Sequence, residues 1–247
     1  MTDRRFFTAT QLKFVALFTM LLDHLYATML HDQLWMTYVG RIAFPLFAFE
    51  LVQGYMHTHD LRRYVRRLLV LAVISEIPFD MVAGGTFFYI WHQNVAWTLL
   101  AGLGTCYCAD HLTEKDVTAS KRALYALGLA AAVALPYLLM TDYDRDGVLL
   151  ILLFWFTRKG GAVNGLIQVV AMIVMWQFLF TGRAIMIGTF EFQTQCFALC
   201  ALPLIWLYNG QKGSRSKALQ YTAYAFYPAH LFILGIIFMI RVSTVAS

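Results

Sequence analysis

Residues 11–30 read QLKFVALFTMLLDHLYATML, and this stretch decides the fold. Its only groups charged or titrating near neutrality are Lys13, Asp23 and His24. About 20 mainly apolar residues is the length that crosses a hydrocarbon layer as an α-helix. Further apolar runs follow near 37–57, 64–82, 94–110, 121–141, 147–158, 163–181, 189–208 and 219–241. The sixth run is short, which implies a tilted, broken or re-entrant segment. The expected fold class is therefore all-α, a polytopic transmembrane helix bundle of about nine spans, N-terminus inside and C-terminus outside, forming one domain over residues 1–247.

Composition points the same way. The 247 residues are 60% hydrophobic, 16% aromatic and only 13% charged, which excludes an ordinary water-soluble fold. Arg4 and Arg5 precede the first apolar run, but no small-residue cleavage site follows it, so the segment reads as retained. Cys106, Cys108, Cys196 and Cys200 all lie in apolar runs, where cysteine behaves as a small hydrophobe; neither a disulfide framework nor a metal site is expected.

The net charge of +5 raises the question of nucleic acid, and the placement of the basic residues answers it. Alternate connections carry Arg4, Arg5 and Lys13; Arg62, Arg63, Arg66 and Arg67; Lys115, Lys121 and Arg122; Arg158 and Lys159; and Lys212, Arg215 and Lys217. Fifteen of nineteen Lys and Arg thus fall on one side, leaving Arg145, Arg183 and Arg241 opposite and Arg41 at or within the second run. Such a bias marks cytoplasmic loops, so the expected partner is a lipid bilayer and not nucleic acid. The loop from Asp80 to Asn94, aromatic and uncharged after its first residue, is expected on the membrane surface or folded back over the helices.

Ionisable groups inside a span cost roughly 2.5–3.5 kcal/mol each to insert, so those that persist face the bundle interior and mark function. Here they are Asp23 and His24 in the first run, Arg41 and Glu50 in the second, Glu76 and Asp80 in the third, and Tyr227 with His230 in the ninth. At 1.5 Å rise per residue, His24 lies roughly 16 Å beyond Lys13, at or past mid-membrane. Glu76, Asp80 and Arg41 approach similar depth from the other side. His24 is suited to act as a general base, with Asp23, Glu76 or Asp80 fixing its tautomer, although Asp23 points about 100° away on the helix. The bland alternative is a histidine that only bonds a neighbouring helix. Arg41 with Glu76 or Asp80 reads more simply as an ion pair that offsets an insertion cost.

Tyr227 and His230 share a helix face, and Pro228 between them weakens the backbone ladder, which shapes either a substrate slot or a kinked packing helix. The run Arg62-Arg63-Tyr64-Val65-Arg66-Arg67 is a topology anchor or a holder of phosphate. Asn209-Gly210-Gln211-Lys212-Gly213 is a weak signal of backbone shaped for phosphate.

Taken together, Leu-Leu-Asp-His at 21–24, Gly-Arg-Ile-Ala-Phe-Pro-Leu-Phe-Ala-Phe at 40–49 and Ile-Ser-Glu-Ile-Pro-Phe-Asp at 74–80 resemble the TraX family. So do Asn94 with Trp97-Thr98-Leu99-Leu100, Leu207-Tyr208-Asn209-Gly210, and Phe226-Tyr227-Pro228-Ala229-His230, a match running from about 12 to 232. The resemblance implies a multi-pass protein of the bacterial inner membrane that transfers acetyl from acetyl-CoA to the N-terminal amine of pilin, with no metal. It also implies kinship with transmembrane acyltransferases, in which a basic residue precedes a catalytic histidine by eleven positions, here Lys13 and His24. Those relatives usually carry Arg-Gly where this chain has Lys13-Phe14, and lysine is the weaker bidentate partner for phosphate.

On this reading the catalytic group is His24 with Asp23, Arg41, Glu76 and Asp80. Acetyl-CoA is met by Lys13, Arg62, Arg63, Arg66, Arg67, Asn209 and Lys212, and the substrate slot by Asn94, Tyr227 and His230. Two rival classes remain: a proton-coupled transporter, which also needs buried ionisable groups but brings no matching broken helices here, and a non-enzymatic factor that holds pilin in the membrane.

Overall fold

The computed structural model describes residues 6–179, 182–214 and 216–246. Arg4, Arg5 and Arg215 of the charge pattern lie outside them. The described chain is mostly helical: α1 (Ala9–Thr28), α2 (Leu34–Gly40), α3 (Ala43–His57), α4 (Leu61–Ala83), α5 (Val95–Leu112), α6 (Ala119–Leu138), α7 (Asp144–Phe156), α8 (Ala162–Ile173), α9 (Ala201–Trp206) and α10 (Lys217–Ala246). A π-helical turn (Val174–Leu179) extends α8, and a 3-10 turn (Thr194–Cys200) leads into α9.

Local chemistry sets these boundaries. Thr8 and Gln11 bond reciprocally across the first turn of α1, and Asn94 caps α5 through its side chain. The second apolar run is divided into α2 and α3 at Arg41 and Ile42. Pro45 explains the break, because its ring would strike the carbonyl of Arg41 in a continuous helix, whereas in the first turn of α3 it costs no bond. The eighth run opens not in a helix but in an antiparallel hairpin, β1 (Ala184–Ile187) with β2 (Phe190–Gln193), turned by Gly188 at φ 64°. This two-stranded hairpin is the exception among described residues whose regular structure is otherwise helical, as the all-α expectation has it.

Two helical stretches among the described residues are long and apolar enough to cross a membrane by length and composition, Ala162–Leu179 and Lys217–Thr244. Their neighbours share the inverted character of a lipid-facing surface. Phe14 and Phe18 on α1, Val70, Val73 and Ile74 on α4, Leu124 and Leu127 on α6, and Ile233 on α10 are all exposed. Apolar surface on that scale does not face water in a monomeric soluble protein. The molecule is a membrane protein.

Inside, the main core joins α3, α5, α7 and α9 through Phe44, Leu46, Leu103, Ile151, Phe154, Trp155 and Leu202, all almost fully buried. A smaller core of Leu17, Met20, Ala43, Phe79, Tyr227 and Leu231 forms where α1, α3, α4 and α10 meet. That second core carries the candidate site. A strap before α7 closes one end of the bundle: Met140, Tyr143 and Asp144 all have positive φ, an unfavourable conformation for these residues. Gln93 donates to the Met140 carbonyl and accepts from the Asp142 N–H, while Tyr143 stacks on Phe44 with ring centroids 3.9 Å apart.

Candidate functional site

His24 on α1 and His230 on α10 meet directly, with His24 Nδ1 2.7 Å from His230 Nε2, ring planes 16° apart and centroids 4.9 Å apart. His230 Nδ1 lies 2.6 Å from the Phe226 carbonyl of its own helix. A carbonyl only accepts, so Nδ1 of His230 carries the proton and a neutral His230 presents Nε2 as an acceptor. His24 must then donate from Nδ1, which leaves its Nε2 lone pair free. The chain of bonds thus assigns both tautomers and leaves His24, not His230, with a free ring nitrogen.

This partner differs from the expected one. Asp23 does not contact His24; it accepts from Arg41 Nη2 at 3.1 Å and from the Thr37 hydroxyl at 2.7 Å. Gly40 permits that approach, since a Cβ there would come within 2.4 Å of the Asp23 side chain. Arg41, in turn, pairs with Asp23 and not with Glu76 or Asp80, and adds Thr37 at 2.8 Å and Gln195 at 3.2 Å. Glu76 is committed to the Trp97 indole N–H at 2.8 Å and to the Asn94 amide. Asp80 accepts the Tyr89 backbone N–H at 3.0 Å. Asn94, fully buried, also donates to the Ala72 carbonyl and accepts from the Ala96 N–H, so it holds α5 to α4 and is not an open slot residue.

A cavity of about 590 Å³ runs beside α1. Lys13, Arg67, Lys212 and His57 line it at one end, and Met20, Val95, Ala96 and Tyr227 at the other. Tyr227, one helical turn before His230, lines that end of the cavity beside Val95 at the start of α5. Of the residues expected to meet a phosphate-bearing ligand, Lys13, Arg67 and Lys212 reach the cavity, while Arg62, Arg63 and Arg66 are exposed and do not line it. Arg63 pairs with Asp60 at 3.3 Å. Asn209 accepts the Gln211 N–H and donates to the Phe7 carbonyl; with Thr10 bonding Lys212, it straps the 209–214 loop over the start of α1.

Glu50, an in-span carboxylate to which the sequence assigns no role, belongs to this cavity. Its Oε2 lies 3.3 Å from Lys13 Nζ, and it lines the wall. Depth matching carries the signal for it: Lys13 is four residues inside α1 and Glu50 seven residues before the end of α3, a similar level if both ends lie on one face. Outside the apolar helices, His92 in the 84–94 loop lies 3.7 Å from Asp142 on the strap. That carboxylate raises the histidine above its ordinary pKa of 6.5, against the opposing effect of burial.

These features make the chain a helical membrane protein with a cation-mouthed cavity leading towards a pair of bonded histidines. Residues 8–238 match the family described as "TraX protein", and the chain belongs to that family. It is also similar to the probable fimbrial assembly protein FimC, serogroup H1, of Dichelobacter nodosus, at 29% identity over 92% of this chain and 94% of that protein. No solved structure matches.

Proposed function

We propose that this chain is an acetyltransferase of the bacterial inner membrane, built on nine spans, that moves acetyl from acetyl-CoA to the N-terminal amine of pilin during conjugative pilus biogenesis. The observation that carries it is the alignment of three parts: cations at the cavity mouth, an apolar passage along α1, and a histidine with a free Nε2 beyond its far end. Family membership and the similarity to a protein named for fimbrial assembly support pilin as the partner. Each of the nine apolar runs coincides at least in part with a helical segment, and α1, α4, α5 and α6, of 20, 23, 18 and 20 residues, are long enough to span.

In this mechanism the charged end of CoA stays at the cytoplasmic mouth with Arg67 and Lys212, and the thioester reaches the level of Tyr227. The pilin amine attacks the thioester carbonyl, and His24 Nε2 takes its proton. The C–N bond forms, the C–S bond breaks, and the proton passes to the departing thiolate. His230 holds His24 in the required tautomer and remains its acceptor when the ring becomes imidazolium. The Tyr227 hydroxyl, at that level of the cavity, donates to the oxygen on which negative charge develops. The test is to incubate membranes containing the chain with acetyl-labelled acetyl-CoA and mature pilin. Label on the pilin N-terminus is the expected result; unlabelled pilin beside correctly inserted chain refutes the enzyme reading in favour of an assembly factor or a transporter.

A further inference from the structure

Among the described residues Glu76, Asp80 and Asp144 also have a buried carboxylate oxygen without a partner, but of these carboxylates only Glu50 lines the cavity. Its side chain is only 11% exposed, Oε2 is paired with Lys13, and Oε1 is buried with no hydrogen-bond partner among the described residues. A buried carboxylate oxygen without a donor is costly, and it is retained where a donor arrives from elsewhere. The carboxylate lines the cavity beside Gln53, Gly54 and Tyr64, about 10 Å in from the α3 end that carries His57. The group it lacks is an N–H or O–H.

The pairing also changes the electrostatics of the passage. Lys13 and Glu50 neutralise each other, so a phosphate drawn to Lys13 meets a carboxylate beside it. Arg67 and Lys212 remain as mouth cations with no carboxylate ion pair among the described residues. A ligand that fits this order is anionic at the mouth, neutral with a hydrogen-bond donor at the level of Glu50, and apolar beyond, where Leu17, Leu71 and Leu99 form the wall.

We propose that Glu50, positioned by Lys13, is the acceptor for a secondary amide N–H of the pantetheine arm, and that it, not the Lys13–phosphate contact, recognises the middle of the acyl donor. This rests on the acyl-CoA reading above and gives that reading its specificity for an amide-bearing carrier over other thioesters. The Lys13 ammonium fixes the carboxylate so that Oε1 is presented before the ligand arrives, which lowers the ordering cost of binding.

The experiment uses the full chain in detergent and calorimetric binding of pantetheine, which has both amides of the arm but no phosphate. It is compared with two analogues, each N-methylated at one amide. One analogue is expected to bind the wild-type chain about 10- to 100-fold more weakly than pantetheine, the effect of leaving a buried acceptor unpaired. In Glu50→Gln the side-chain oxygen turns to Lys13 and the amide NH₂ faces the cavity, so pantetheine weakens and the N-methyl penalty disappears. Arg67→Ala and Lys212→Ala are expected to weaken CoA while leaving pantetheine unchanged. Equal binding of all three ligands to the wild-type chain overturns the inference, as does an equal N-methyl penalty in wild type and Glu50→Gln. The wild-type comparison stands even if the variant misfolds. If CoA binds and pantetheine does not, the amide contact is refuted and the acyl-CoA reading survives; if neither binds, both are refuted.

Discussion

On the side of the histidine pair that faces Lys13, polar groups open onto space; towards Arg41 and the 84–94 loop they close on one another. Lys13, Glu50, Arg67 and Lys212 surround a cavity and leave a carboxylate oxygen to be met. Asp23, Thr37 and Arg41 bond among themselves and tie α1 to the α2–α3 break, and Glu76, Asn94 and Trp97 tie α4 to α5; Arg41 Nε and Glu76 Oε1 are also buried without a partner, but none of these six residues lines the cavity. A polar residue in an apolar helix is thus diagnostic only once its partners are known. A group whose bonds are supplied by neighbouring helices lowers the cost of its own burial, while one that lines a void is available to a ligand.

The contrast is sharpest at the adjacent Asp23 and His24. His24→Ala is expected to lower acetyl transfer about 10²- to 10⁴-fold, the usual range for loss of a general base, without loss of folded protein. His230→Ala removes the acceptor that sets the His24 tautomer and should fall between that variant and wild type. A larger loss for His230→Ala than for His24→Ala would reverse the roles drawn from the bond chain.

A smaller effect, and of a different kind, is expected at Asp23→Asn. It leaves Arg41 facing a neutral amide and should cost roughly 2 kcal/mol of stability in detergent, while transfer per folded molecule stays within a few-fold of wild type. A rate loss comparable to His24→Ala with unchanged stability would move Asp23 into the chemistry.

The smallest effect concerns His92 and Asp142. Because the folded-state pKa of His92 is raised, the clasp between loop and strap is fully present below about pH 6.5 and lost as pH rises through the folded value. Chymotryptic cleavage at the exposed Phe87, Phe88 and Trp91 should therefore accelerate from pH 6 to pH 8.5 relative to His92→Gln, which lacks the titrating group. Parallel rates in the two proteins would show that the clasp does not restrain the loop.

Much of this architecture is legible in the amino-acid sequence. The length of the apolar runs places the helices, the eleven-residue offset singles out Lys13 and His24, and a shared helix face singles out Tyr227 and His230. Rotation between helices is not legible. Spacing along α1 puts Asp23 about 100° from His24, but nothing in one sequence says which helix each face meets. The chemistry of neighbouring spans therefore points to a carboxylate as the His24 partner, whereas α10 brings an imidazole. Glu50 is visible as an in-span carboxylate, yet its pairing with Lys13 depends on how α3 turns after the Pro45 break. The hairpin at 184–193 is hidden because a short apolar run fits helix and strand equally well, and Gly188 alone marks the turn.

Acetyl transfer through His24 is tested most directly by the intact mass of the pilin N-terminal peptide from cells that co-express pilin with the wild-type chain or with His24→Ala at matched membrane levels. A mass increase of one acetyl group on the terminal amine is expected with wild type, and the unmodified mass with His24→Ala. Unmodified pilin in both, or acetylated pilin in both, would contradict the proposed chemistry.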